Sequence, residues 1–324
     1  MRLGLATTGG DAPGMNAAVR AVVRTAVSKN IEILGFERGY EGILTNSYDI
    51  LDARKVGGIM HLGGTFLKTS RAELMKSDEG IIKASQILKK NEIDGFIVIG
   101  GDGSFKAATK IHYESQIPVI GIPATIDNDL MGTDTTIGFD TAINTALDAV
   151  DKIRDTATSH DRVFIVEVMG RNRGFLALAV GLASGAEVIL IPEIGCNPER
   201  VCKKLEESHH KGKKSAIIII AEGLSDCLSR AGLNLKDIIQ EKLGFEVRIT
   251  RLGHMQRGGK PTAFSRILAC KMGVASIEFL LSGRKMDMTA IQGREIIPID
   301  LDYVCNTEKL IDKRLYEQAL TLSI

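Results

Sequence analysis

Short apolar runs with no polar residue inside them constrain this chain more than any other feature. Phe96-Ile-Val-Ile99 and Ile217-Ile-Ile-Ile220 are the clearest cases. Leu3–Ala6, Val119–Ile122, Val163–Val168 and Val188–Ile191 are related runs, closed within a few residues by glycine or proline and followed by a helical pattern. A strand with one wet face alternates apolar and polar residues. A run without alternation needs both faces covered, which is the condition of a parallel sheet between helices. The expected fold class is α/β.

The intervening segments read as amphipathic helices. After Pro13, a residue suited to a first helical turn, Met15, Val19, Val22, Val23 and Ala26 form one apolar stripe, while Arg20 and Arg24 share another face. Phe139–Arg154 repeats the pattern through Ile143, Ala146, Leu147, Val150 and Ile153, and Phe264–Leu281 supplies another long helix. At about 100 to 200 residues per domain, a chain of 324 residues fits two domains. With no low-complexity linker between them, the reading is two doubly wound lobes with largely parallel sheets. The chain should cross between the lobes more than once, with ligands at the carboxyl ends of the strands.

Charge narrows the partners. With 41 basic residues against 40 acidic ones, no bulk field attracts nucleic acid, so an anion must be gripped by a local cluster. The 5 cysteines, Cys196, Cys202, Cys227, Cys270 and Cys305, form no C-x-x-C pair and are odd in number, which argues against a disulfide framework or a zinc site. The N-terminus lacks a signal-peptide core, and the longest uncharged stretch, Gly174–Ala186, is too short to span a bilayer. A soluble, cytoplasmic protein is expected, with no membrane or nucleic-acid partner.

Two segments have the form strand, glycine turn, helix start: Thr8-Gly-Gly-Asp-Ala-Pro-Gly-Met-Asn16 and Ile99-Gly-Gly-Asp-Gly-Ser104. Bare glycine N–H groups beside a helix N-terminus make a phosphate cradle. Tight turn geometry alone would explain one such loop, but two with an aspartate at the same offset fit a nucleotide better. Neither matches the Walker or the G-x-G-x-x-G pattern. Pro123-Ala-Thr-Ile-Asp-Asn-Asp129 then places two carboxylates two residues apart at a strand end. That arrangement is costly unless a metal or a transferring proton uses them. With Asp102 expected on the same sheet edge, a Mg²⁺–nucleotide site results. Three basic clusters remain: Val168-Met-Gly-Arg-Asn-Arg-Gly174, Arg248 with Leu252-Gly-His-Met-Gln-Arg-Gly-Gly259, and Lys211-Gly-Lys-Lys214. Arginine forks suit phosphate. A run such as Lys211–Lys214 is usually a solvated face, and a lone histidine such as His254 is usually a core residue. Beside Arg248, Arg257 and three glycines, His254 points instead to a phosphate or a sugar.

Taken in order, these motifs resemble the bacterial ATP-dependent phosphofructokinase family from the first strand to the C-terminal helix. The resemblance implies transfer of the ATP γ-phosphoryl group to the 1-hydroxyl of fructose 6-phosphate, with Mg²⁺, in a homotetramer. It implies an ATP-binding lobe of residues 1–138 and 256–305 and a fructose 6-phosphate lobe of residues 139–255 and 306–324, inserted so that Ala263–Leu281 returns to the first lobe. Carried over position by position, Asp127 resembles the general base, with Thr125 and Asp129 beside it. Asp102 resembles the Mg²⁺ ligand, and Gly10 the backbone donor to the transferring phosphoryl. Tyr40, Arg71, Gly101, Gly103 and Ser104 match ATP contacts, and Arg171 a stabiliser of the transferred charge. Met169, Gly170, Glu222, His254 and Arg257 match fructose 6-phosphate contacts, and Arg162 and Arg248 arginines that reach the sugar phosphate from a neighbouring subunit. Arg20, Arg24, Arg154, Gly185, Glu187, Lys211 and Lys213 match an interfacial site for ADP and phosphoenolpyruvate.

Pyrophosphate-dependent relatives carry aspartate where this chain has Gly103 and lysine where it has Ala124, so small residues at both positions imply ATP as donor. A pyrophosphate-dependent transferase, a lipid or NAD kinase and a non-catalytic sugar-phosphate sensor are the competing readings. A kinase sharing only G-G-D-G leaves Leu252–Gly259 unexplained, and a sensor would have lost Asp127 or Arg171.

Overall fold

A computed structural model describes residues 1–70 and 72–323. The chain divides into two compact units: Met1–Thr141 with Arg257–Lys309, and Ala142–Gln256 with Leu310–Ile324. It therefore passes between units three times, after Thr141, Gln256 and Lys309.

In chain order the strands are β1 (Arg2–Thr7), β2 (Glu32–Phe36), β3 (Tyr48–Leu51), β4 (Gly95–Gly100), β5 (Val119–Thr125) and β6 (Ile137–Gly138) in unit one. Unit two holds β7 (Val163–Val168), β8 (Val188–Leu190), β9 (Ala216–Ala221) and β10 (Val247–Arg251), before β11 (Met286–Gln292) and β12 (Glu295–Asp300) complete unit one. Among the described residues, unit one carries an eight-stranded sheet of order β12-β11-β5-β4-β1-β2-β3, with β6 on β5. Its central pairs are parallel, and only β2–β3 and β11–β12 at the edges are antiparallel. Every residue of β4 and β5 is buried, as unalternated apolar runs require. Phe36, Phe96 and Phe105 are the bulkiest fully buried side chains of the core on one side of this sheet.

The order reverses at β1, because β2 lies on one side of it and β4 on the other. Such a switch point opens a crevice at the carboxyl ends of the strands. Both glycine loops leave from it, with Thr7 in register with Ile99. On the sheet's flank the helix Met15–Ser28 packs against the helix Ala263–Leu281. Gly273 permits that approach, since a Cβ there would lie 2.6 Å from Cβ of Ala21 and 3.1 Å from the carbonyl oxygen of Ala18.

Unit two is a smaller sheet of order β10-β7-β9-β8, parallel throughout. Its core on one face gathers Val163, Ile165, Leu190, Ile218 and Ile220 with Leu205 and Ile239 from covering helices. Among the described residues, no helix is long and apolar enough to cross a membrane. Among the described residues, six of the twelve strands coincide with the apolar runs, and β2, β3, β6, β10, β11 and β12 do not. Arg248, Thr250 and Arg251 interrupt β10, and the β11–β12 hairpin is broken up by Asp287, Thr289 and Glu295.

Candidate active site

Three consecutive parallel strands deliver the predicted chemistry of unit one to one sheet end. The pairing Thr7↔Ile99 aligns β1 with β4, and Gly100↔Pro123 aligns β4 with β5. The loop after β1 carries Gly9 and Gly10, the turn after β4 leads through Gly101 to Asp102 at the start of a helix, and the end of β5 runs through Thr125 to Asp127. The glycines are packing requirements as well as donors. A Cβ on Gly100 would lie 2.5 Å from Oγ of Ser104 and 2.7 Å from the carbonyl oxygen of Thr8, so the two loops pack directly on each other.

The helices that begin here are left open. Met15–Ser28 and Asp102–Ser115 start at Gly14 and Gly101 without a side-chain cap. Elsewhere Ser77, Asn197 and Thr262 cap their helices by accepting a backbone N–H. An uncapped N-terminus keeps its donors and its dipole available to an anion. The hydroxyl oxygen of Thr8, beside these turns, is buried without a hydrogen-bond partner.

Asp127 is 2% exposed, and its backbone N–H donates to Oγ1 of Thr125 at 3.2 Å. Thr136 in turn donates to the carbonyl of Thr125 at 2.6 Å, tying the end of β5 to the segment that follows. Asn128 adopts a left-handed φ of 52°, which lets the turn carry two carboxylates within three residues. The carboxylate of Asp102 is half-exposed and pairs with Lys106 one helical turn away at 2.8 Å.

Tyr40, expected at the nucleotide, is buried: its ring lies against Phe96 and its hydroxyl donates to the carbonyl of Ser104 at 2.6 Å, which supports the Gly101–Ser104 loop. Burial pushes the phenol's pKa far up, and it stays a neutral donor. Arg257, expected at fructose 6-phosphate, belongs to unit one and lies against the first glycine loop. Its Nη1 donates to the carbonyl of Asp11 at 3.2 Å and would lie 2.5 Å from a Cβ on Gly10, so this guanidinium fills space that only a glycine leaves. The segment Thr65–Ser70 is strapped to the first loop: Thr7 donates to the carbonyl of Lys68 at 2.9 Å and Thr69 to that of Gly9 at 2.8 Å. Arg71, expected at the nucleotide, lies outside the described residues.

In unit two the predicted residues assemble around glutamates. Met169 and Gly170 are buried at the end of β7, and Arg171 follows in a left-handed conformation at φ 51°. Its backbone N–H donates to Oε1 of Glu222 at 2.6 Å, so Glu222 fixes the arginine's turn. Gly223 lets the helix Glu222–Arg230 approach that turn, since a Cβ there would lie 2.2 Å from the carbonyl oxygen of Arg171. Arg162 and Arg248 meet on Glu246, at 2.8 Å and 2.5 Å. The two arginines, Arg162 first, hold the Glu246 carboxyl below its usual range. His254 is exposed rather than a core residue.

The proposed effector residues divide between the units. Arg154, Gly185, Glu187 and Lys213 come together in unit two. Buried Glu187 accepts the N–H of Ile217 at 2.7 Å and faces Arg154 at 3.7 Å and Lys213 at 3.9 Å. Arg154 also donates to the carbonyl of Ser184 at 2.8 Å, beside Gly185. Lys211 is exposed nearby in sequence, while Arg20 and Arg24 belong to the helix Met15–Ser28 of unit one. The sequence reading missed Glu246, Lys106 and Lys309. Each is a single charged residue outside any motif, and only the i, i+4 spacing of Asp102 and Lys106 offered a signal.

The phosphofructokinase family profile matches residues 2–280. The chain is 47% identical over 322 residues to an ATP-dependent 6-phosphofructokinase of Thermotoga neapolitana and 48% identical over 322 residues to one of Clostridioides difficile, each alignment covering 99% of both chains. A solved phosphofructokinase structure from Saccharomyces cerevisiae superposes with a TM-score of 0.89 at 33% identity, over 100% of this chain and 48% of the yeast chain. A pyrophosphate-dependent phosphofructokinase of Nitrosospira multiformis, 24% identical, has the same fold at a TM-score of 0.84, over 100% of this chain and 91% of its own.

Proposed function

The chain belongs to the phosphofructokinase family, and from that premise we propose how its residues divide the work of phosphoryl transfer. The enzyme is a phosphotransferase that moves the γ-phosphoryl group of ATP to fructose 6-phosphate, giving fructose 1,6-bisphosphate and ADP. Asp127 removes the proton of the attacking 1-hydroxyl as general base, and Thr125 and Asp129 line the same strand end. The N–H of Gly10 and the side chain of Arg171 stabilise charge on the transferred group, the largest part of such catalysis being positioning and electrostatics. Gly101, Gly103 and Ser104 cradle the nucleotide, with Tyr40 behind them. The parallel register that sets the β1, β4 and β5 loops side by side carries this reading.

The donor set suits Mg²⁺. Among the described residues, no group of three or more His, Cys, Asp or Glu is arranged to hold a metal by itself. One half-exposed carboxylate, Asp102, stands at the cradle, as expected for an ion held mainly by phosphates and water. Asp102 would hold it, and bound Mg²⁺ supplies neutralisation of the β- and γ-phosphate charge.

ATP is favoured over pyrophosphate by the space at Gly103, where a Cβ would meet nothing within 4 Å, and by the small Ala124 at the end of β5. Fructose 6-phosphate is held by Met169, Gly170, Glu222, His254 and Arg257. Arg162 and Arg248 act across a homotetramer interface, and ADP and phosphoenolpyruvate bind at the cluster around Glu187. A coupled assay with ATP, GTP and pyrophosphate on fructose 6-phosphate, with and without ADP, tests the whole reading. Turnover should be fastest with MgATP; pyrophosphate turning over as fast would overturn the donor assignment.

A further inference from the structure

Lys309 is the last residue of unit one, and its ammonium is turned into the loop that follows β5. It donates to Oδ1 of Asn128 at 3.1 Å and to the carbonyl oxygens of Thr133 at 2.8 Å and Asp134 at 3.5 Å. The other end of the same amide, Nδ2 of Asn128, donates to the carbonyl of Asp134 at 3.3 Å. The Asn128 side chain, 5% exposed, is therefore held at both its polar atoms. Its backbone has the left-handed φ of 52° that separates Asp127 from Asp129. A clamp on Asn128 is a clamp on the direction of both neighbouring carboxylates.

We propose that Lys309 is a positioning residue for phosphoryl transfer: through Asn128 it holds the Asp127–Asp129 turn in the geometry the reaction needs. This rests on the reading of Asp127 as the general base. The cation is costly where it is, which argues for a use. Burial drives its pKa down to about 8 against the opposing pull of Asp129 and Asp134, and an apolar side chain of similar length would avoid that cost. Three hydrogen bonds to a polar loop justify the lysine where simple packing would not.

The test compares Lys309→Met, Asn128→Gly, the double variant and Asp127→Ser in the intact enzyme. Glycine keeps the left-handed backbone accessible and deletes only the clamped amide. A misdirected base costs transition-state geometry rather than substrate affinity, so Lys309→Met and Asn128→Gly should each lower kcat by roughly 10- to 100-fold, with KM for both substrates within about threefold. Because both variants break one clamp, the double variant should be little worse than the more severe single one. Unchanged kcat in the single variants, KM rising as much as kcat falls, or fully additive losses would each overturn the proposal. If Lys309→Met fails to fold, Asn128→Gly with wild-type kcat suffices to overturn it. Asp127→Ser separates the two readings: a variant with near wild-type kcat removes the base assignment itself. Loss of kcat there, beside intact Lys309→Met and Asn128→Gly enzymes, removes only the clamp.

Discussion

The two units present their polar groups differently. Unit one offers backbone: glycine turns, helix N-termini without caps and short side chains such as Thr125 and Ser104 at the ends of β1, β4 and β5. Unit two offers long cations, and glutamates set them in place: Glu246 under Arg162 and Arg248, Glu187 under Arg154 and Lys213, and Glu222 at the backbone of Arg171. A backbone cradle is rigid because the strands that form it are buried on both faces. An exposed arginine has many rotamers, and a carboxylate partner reduces the ordering cost when a phosphate arrives. Mutation in the turn after β5 should therefore damage the chemical step, and mutation of the arginines set on Glu246 should damage affinity.

The sharpest challenge is Asp127→Ser. Loss of a positioned base should lower kcat by roughly 10² to 10⁴ with smaller changes in KM, measured under saturating MgATP and fructose 6-phosphate. A kcat within a few-fold of the original would break the assignment of chemistry to unit one.

Arg248→Ala tests the other half. Removing one fork from a phosphate should raise the KM for fructose 6-phosphate by roughly 10- to 150-fold and leave that for ATP nearly unchanged. Sedimentation showing a fully active monomer would remove the cross-subunit role from both Arg162 and Arg248. Glu246→Gln should act in the same direction but more weakly, since it frees the arginines without deleting them.

Gly103→Asp sharpens the donor preference. The added side chain has room, so melting temperature should hold while a carboxylate beside the α-phosphate weakens ATP on the order of tenfold or more. An unchanged KM for ATP would show that Gly103 does not face the nucleotide.

The smallest effect on basal turnover is expected from Lys213→Ala. Lys213 is half-exposed and its ion pair with buried Glu187 is long at 3.9 Å, so unregulated kcat should stay near the original while the response to ADP or phosphoenolpyruvate is blunted. A full response in that variant would detach Lys213 from the effector cluster.

What the sequence by itself determined is local in origin. An apolar run without alternation reports burial on both faces wherever it occurs. Gly9 with Gly10, and separately Gly101 with Asp102, advertise a strand-to-helix turn through adjacent residues, so β1, β4, β5, β7, β8 and β9 and the cradle were legible. The tertiary structure decided which charges those turns face. Lys309 reaches Asn128 across 181 positions and Arg162 finds Glu246 across 84, separations over which no periodicity or motif operates. Tyr40 shows the same limit. Its place beside the loop was readable, but the packing of its ring on Phe96 and the bond from its hydroxyl to the Ser104 carbonyl come from the folded chain alone. Turn chemistry and burial are properties of neighbouring residues, whereas the partner of a charge is set by where the folded chain returns.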